Sequence, residues 1–250
     1  MMQLFYFYIM LIVPAIDLID AKCVRLTKGD YDTKKTYNEN PLEVAKMFES
    51  NGITHLHLVD LDGAKAGKVV NWKVLESITN NTTLKVDFSG GIKTKDTALR
   101  AFELGANQIA VGSLAVKNPK EFVDWIWEFG EEKLILGADV LHEKVAVSGW
   151  QENSNKDVFS FLDFYSEEGI DYVLCTDISK DGMLLGPSIE LYKKIIAEYP
   201  EMNLIASGGV SSMNDLHQLK EIGCYAAIVG KAFYENKISL VELKNFILTT

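Results

Sequence analysis

Ser89-Gly90-Gly91-Ile92 returns 118 positions later as Ser207-Gly208-Gly209-Val210, and Val111-Gly112-Ser113 returns at the same spacing as Val229-Gly230-Lys231. No gap separates these anchors. Glu103 and Gly105 fall on Glu221 and Gly223, so seven of the 25 positions from 89 to 113 are identical to their counterparts. Asp17 and Asp139, each closing a short apolar run, are 122 apart. The repeat therefore spans half the chain, and its glycines fall where apolar runs end.

Working outward, short apolar runs alternate with amphipathic stretches along the whole sequence. The pattern predicts strands near Ile9–Asp17, Ile53–Asp60, Leu84–Phe88, Gln108–Val111, Lys133–Asp139, Tyr172–Thr176, Asn203–Ala206 and Ala226–Val229. It predicts helices over Leu42–Asn51, Trp72–Asn80, Thr94–Leu104, Pro119–Phe129, Val158–Glu168, Pro187–Tyr199, Ser212–Ile222 and Leu240–Leu248. Asn40-Pro41, Asn118-Pro119 and Gly186-Pro187 read as helix starts. Gly52, Gly105, Gly169 and Gly223 read as helix ends. Eight strand–helix units fit an α/β fold of one kind: a single (β/α)8 TIM barrel built from two similar half-barrels, one domain over residues 1–250. A dinucleotide-binding sheet would need Gly-x-Gly-x-x-Gly after its first strand, and that is missing.

With 48% hydrophobic and 24% charged residues, the chain has the composition of a soluble globular protein. A net charge of −10 argues against nucleic acid as a partner. It leaves small phosphorylated ligands open, because backbone amides hold those without a basic patch. Cys23, Cys175 and Cys224 have neither zinc nor redox-motif spacing, which points to a reducing compartment. The first 16 residues are uncharged, yet the Leu4–Val13 run is short of the roughly 20 residues of a membrane span. It also lacks the basic lead of a secretory signal. We read a buried strand preceded by extra residues 1–9, with Met10 as a second candidate start, and expect a cytoplasmic, monomeric protein without membrane contact.

A barrel of this kind builds its site at the C-terminal ends of its strands. Gly90-Gly91 and Gly112-Ser113 end the third and fourth strands, and Gly208-Gly209 and Gly230-Lys231 end the seventh and eighth. A single Gly-Gly is usually just a tight turn. Two adjacent pairs, repeated at one offset, read as two phosphate cradles facing each other across the mouth. The matching ligand is a small molecule with two phosphates on a long body. Asp17 and Asp139 then lie between the cradles on opposite sides. Two such carboxyls can divide into a base and an acid, or be solvated or paired with Lys22 or Lys144. Thr176 either orients a substrate or an aspartate, or is a buried β-branched residue. Asp60 and Asp177 match each other in the repeat and either contact ligand or satisfy loop amides. Arg25 either contacts a phosphate or is an ordinary surface arginine. Trp150, behind Ser148-Gly149 in a long loop, is placed to stack on a planar heterocycle. His55 and His57 alternate along a strand, and His142 and His217 are isolated. No grouping has metal-ligand spacing, and no nucleophile elbow is present.

The run Val13-Pro14-Ala15-Ile16-Asp17-Leu18-Ile19-Asp20-Ala21-Lys22-Cys23-Val24-Arg25-Leu26 resembles the opening of the histidine-biosynthesis isomerases acting on phosphoribosylformimino-5-aminoimidazole carboxamide ribotide (ProFAR). So do Leu58-Val59-Asp60-Leu61-Asp62-Gly63-Ala64, both Gly-Gly sites, Gly137-Ala138-Asp139, Thr176 to Met183, and Ala206 to Val210. The resemblance runs from about Met10 to the C-terminal helix. It implies a cofactor-free Amadori rearrangement, aldose to ketose, of a bisphosphate. It assigns Asp17 as general base and Asp139 as general acid, with Thr176 assisting. Three features depart from that family: Ala21 replaces a usual glycine and puts a positive-φ turn in question, Ser89 replaces another, and the leading apolar segment is long.

The cyclase subunit of imidazole-glycerol-phosphate synthase shares the fold and two aspartates, but typically carries cysteine before the first aspartate and lysine in place of Arg25. Here the residues are Ile16 and Arg25. An isomerase that also accepts phosphoribosyl anthranilate is compatible with the same residues, and so is a non-catalytic phosphate-binding barrel.

Overall fold

Along β1 (Leu11–Ile19) successive side chains alternate between two cores, as the two-residue period of a strand requires. Val13 and Ala15 join Ala110, Ile135, Leu174, Ile205, Ala226 and Ile228 in one apolar cluster. Ile12, Ile16 and Leu18 join a larger cluster that includes Val44, Phe48, Leu75 and Phe122 from the helices. A strand buried on both faces belongs in a parallel sheet covered by helices. In the computed structural model, which describes residues 10–147, 150 and 152–249, that is what the chain forms.

The remaining parallel strands are β2 (His55–Asp60), β3 (Lys85–Ser89), β4 (Gln108–Val111), β5 (Leu134–Leu141), β6 (Tyr172–Asp177), β7 (Asn203–Ser207) and β8 (Ala226–Val229). Each pairs with the next, and β8 pairs back onto β1 through Leu11–Ala226 to Pro14–Val229, so the barrel closes. The outer helices are α1 (Pro41–Ser50), α2 (Trp72–Asn81), α3 (Lys95–Glu103), α4 (Pro119–Phe129), α5 (Val158–Glu167), α6 (Ile189–Glu198), α7 (Met213–Glu221) and α8 (Leu240–Thr249). This is a (β/α)8 barrel. No helix among the described residues is long and apolar enough to cross a membrane.

The two halves repeat in detail. Thr94 before α3 and Ser212 before α7, again 118 apart, each form a capping box. Gly90 and Gly91 have φ of 95° and 84°, and Gly208 and Gly209 have 92° and 85°. Pro41 and Pro119 open their helices as predicted. The Gly186-Pro187 signal does not: α6 starts at Ile189, because the Ser188 hydroxyl is drawn to Asp177 and the Gly186 N–H to the Gly209 carbonyl.

Two antiparallel hairpins stand on the mouth where the sequence reading has only loops. One, Lys22–Thr27 with Asp30–Asn38, pairs with β1. The other, Lys144–Val147 with Glu152–Asp157, pairs with β5. The first begins at a turn with positive φ at two successive non-glycine residues, Asp20 (54°) and Ala21 (56°). The left-handed turn therefore forms without the glycine, at a strain of roughly 1–2 kcal/mol per residue. Ala21 is exposed, so Ala21→Gly removes strain without disturbing packing. Allowing for the freer unfolded chain, a net gain of about 0.5–1 kcal/mol is expected in denaturant titration. An unchanged midpoint would show that the turn is unstrained.

Candidate active site

The register of the barrel sorts its inward-facing residues into layers. The layer nearest the mouth holds Asp17 on β1, Val59 on β2, Ser89 on β3, Asp139 on β5, Thr176 on β6 and Ser207 on β7. All six line one cavity of about 240 Å³. Ala15, His57, Ala110, Gly137, Leu174 and Ile228, deeper in the barrel, form its floor. β1 and β5 are four strands apart in either direction, so Asp17 and Asp139 face each other across the mouth.

Asp17 is held by Arg25 of the first hairpin at 2.8 Å, and their side chains are only 14% and 9% exposed. Burial pushes the Asp17 carboxyl above its ordinary value, while Arg25 and then His57 pull it back. Burial likewise raises Asp139, opposed by side-chain hydrogen bonds with Trp150 and Thr176 and by the charge of His57. Both carboxyls border the cavity and are held by directional partners.

The glycine pairs fall into two groups. Gly90, Gly91, Gly112 and Ser113 line one end of the main cavity. Gly208, Gly209, Gly230 and Lys231 line a neighbouring recess of about 20 Å³. Arg25, Asp181, Ser207 and Ile228 border both, so the two spaces adjoin.

Across residues 11–239 the chain matches the family model described as histidine biosynthesis protein. The chain belongs to this family. A relative from Flavobacterium johnsoniae is 60% identical over 96% of this chain and 100% of its own length. Relatives from Flavobacterium psychrophilum and Parabacteroides distasonis are 57% and 55% identical, over 96% and 94% of this chain and 99% and 98% of theirs. Each is named 1-(5-phosphoribosyl)-5-((5-phosphoribosylamino)methylideneamino)imidazole-4-carboxamide isomerase.

Within this histidine-biosynthesis barrel, the surroundings of the other candidate residues distinguish between the alternatives the sequence leaves open. Asp177 does not line the cavity. Its carboxylate accepts from the Ser179 N–H and hydroxyl and from Ser188, so it organises its own loop. Asp60, its counterpart, does the same with the N–H groups of Gly63, Val70 and Asn71. Arg25 is no surface arginine; besides pairing with Asp17, its guanidinium lies against Gly230. Lys231 directs its ammonium to the Gly182 carbonyl and the Thr27 hydroxyl, tying the first hairpin to the loop after β6. Trp150, with φ of 70°, hydrogen-bonds Asp139, rests its ring against Gly29 of the opposite hairpin and lines the main cavity. Ser148-Gly149 and residues 1–9 lie outside the described residues. Lys22 and Lys144 pair with Glu39 and Asp157, not with the site aspartates. The three cysteines are buried and unpaired.

Two features escaped the sequence reading. Asp181 borders both cavities, and burial pushes its carboxyl up to about 6 against the pull of Arg25. His57 and Asp87 form a buried ion pair on neighbouring strands beneath the mouth. The polar alternation Lys85, Asp87, Ser89 along β3, beside His55 and His57 on β2, was the available signal.

Proposed function

We propose that this chain is an aldose–ketose isomerase that converts ProFAR to its phosphoribulosyl isomer, with Asp17 as base and Asp139 as acid. The observation that carries this reading is the opposed pair of buried aspartates in one cavity, flanked by glycine cradles that repeat at the half-barrel offset. The names of the relatives describe a molecule with two phosphoribosyl ends, which suits two cradles. In the reading, one phosphate sits at Gly90, Gly91, Gly112 and Ser113, and the other at Gly208, Gly209 and Gly230.

With both ends held, protonated Asp139 gives its proton to the furanose ring oxygen. The ring C1′–O bond breaks and the nitrogen lone pair forms the C1′=N bond of a Schiff base. Ionised Asp17 then takes the C2′ proton, leaving an enolaminol. Reprotonation at C1′ and loss of the hydroxyl proton at C2′ give the ketose. Each proton transfer contributes roughly 10²–10⁴-fold, and holding both ends supplies effective molarity. Thr176 and Trp150 fix the Asp139 carboxyl through their hydrogen bonds.

A second assignment of the acid has its own support. Asp181 borders both cavities, and burial, with the Asp17 and Asp139 carboxylates nearby, pushes its carboxyl up to about 6 against the pull of Arg25, conditions that favour a retained proton. Asp139→Asn and Asp181→Asn separate the two. If Asp139 is the acid, its variant loses about 10²–10⁴-fold in kcat together with the alkaline limb of the pH profile. A loss of that kind confined to Asp181→Asn would move the role to Asp181.

The test of the reaction is incubation of purified chain with ProFAR, coupled to the synthase that consumes the product. Conversion is expected. A folded preparation that leaves ProFAR unchanged would overturn the reading.

A further inference from the structure

We propose that His57, seated against Asp87, is a positioning residue for Asp17: a buried cation in the cavity floor that holds Asp17 in the form able to accept a proton. The kinetic part of this inference rests on the isomerase reading; its structural part does not.

Elsewhere at this depth the barrel is apolar or bare on β1, β5 and β6, with Ala15, Gly137 and Leu174, and Gln108 on β4 stands beside Asp87. On β2 and β3 the same depth carries an imidazole and a carboxylate, 8% and 9% exposed, joined by a hydrogen bond. Nothing about filling a barrel demands this. Branched aliphatic residues fill such layers well, and a buried ion pair is often no more stabilising than an apolar pair of the same size. Its position serves the site instead.

Four charged groups face the His57 ring: Asp87 from β3, Asp17 from β1, Arg25 from the first hairpin and Asp139 from β5. Burial works against an imidazolium here, but Asp87 and then Asp17 outweigh it, and His57 titrates above its ordinary value. The resulting cation in turn draws both Asp17 and Asp139 down. Asp17 keeps Arg25 as a second counter-charge. Asp87 supplies the anion that keeps the proton on His57, so neutralising Asp87 removes the imidazolium charge without leaving a lone buried ion.

Because coupling is reciprocal, a charge on His57 that stabilises ionised Asp17 must itself be stabilised by Asp17. This gives a test without substrate. The chain has four histidines, so ¹⁵N spectra of histidine-labelled protein resolve them, with His57→Gln for assignment. In the wild-type chain His57 is expected to titrate above an ordinary imidazole. Its titration should move down in Asp17→Asn and further down in Asp87→Asn. The kinetic arm uses Asp87→Asn and the matched neutral pair His57→Gln/Asp87→Asn. Loss of the cation raises the pH at which Asp17 ionises, so the ascending limb of kcat/KM should move about one unit alkaline, a roughly tenfold loss below the limb. Asp87→Glu should restore the limb. A wild-type His57 that titrates at or below an ordinary imidazole, no response to Asp17→Asn, or variants slowed equally at every pH would overturn the proposal. Should both variants fail to fold, the wild-type and Asp17→Asn spectra decide it; should the chain fail to turn over ProFAR, the isomerase reading falls while those spectra still judge His57.

Discussion

Asp17→Asn is expected to lower kcat by about 10³-fold while leaving KM near its starting value. The side chain is nearly isosteric and keeps its place at the end of β1, so ligand contacts persist, but an amide cannot take the C2′ proton. The figure is the middle of the range for one proton transfer. A stability effect accompanies it, because Arg25 is buried against Asp17 and would face a neutral partner. Removing one member of a buried pair costs up to about 3–5 kcal/mol, softened here by the carbonyl that asparagine still offers. Kinetics at 20 °C, with circular dichroism to verify folding, separate the two effects. Turnover within tenfold of the wild-type chain would remove Asp17 from the chemistry and favour a binding protein.

Gly90→Ala should be among the most damaging single changes outside the aspartates. The residue has φ of 95°, and an added Cβ would lie 2.1 Å from the Asp60 carbonyl oxygen, which is backbone and cannot swing aside. Strain and overlap together are expected to cost about 3–5 kcal/mol. At roughly 2–4 °C per kcal/mol for a chain of this size, Tm falls by on the order of 10 °C. Gly52 is the control. Its φ is 86°, yet nothing lies within 4 Å of its would-be Cβ, so Gly52→Ala should cost only the conformational share, about 1 kcal/mol. Equal losses at both positions would show that crowding at the strand crossing is not what requires glycine there.

The same contrast explains what the sequence made legible. Strand and helix order followed from apolar periodicity, because every barrel strand is buried on both faces and every outer helix on one. The repeat located Gly90, Gly91, Gly208 and Gly209 because backbone crossings tolerate nothing larger at these turns. The hairpins were missed because Asp30–Asn38 is mostly exposed and polar and reads as loop; the Lys28-Gly29 turn, with φ of 52° and 69°, was the cue. Asp181 was out of reach for a different reason. It lies in a loop whose path is set by distant partners, including the Lys28 N–H on its carbonyl and Lys231 on Gly182, and no local pattern encodes those. For Asp177 the repeat gave the right equivalence with Asp60 but not the role: a carboxylate ending a barrel strand can face the ligand or its own loop, and the hydroxyls of Ser179 and Ser188 decide that here.

A crystal structure of Asp17→Asn with ProFAR bound would examine the central geometry most directly. One phosphate is expected against Gly90, Gly91, Gly112 and Ser113, the other against Gly208, Gly209 and Gly230, with the ribose ring between residues 17 and 139. Both phosphates in one cradle, or a sugar lying outside the reach of either side chain, would contradict it.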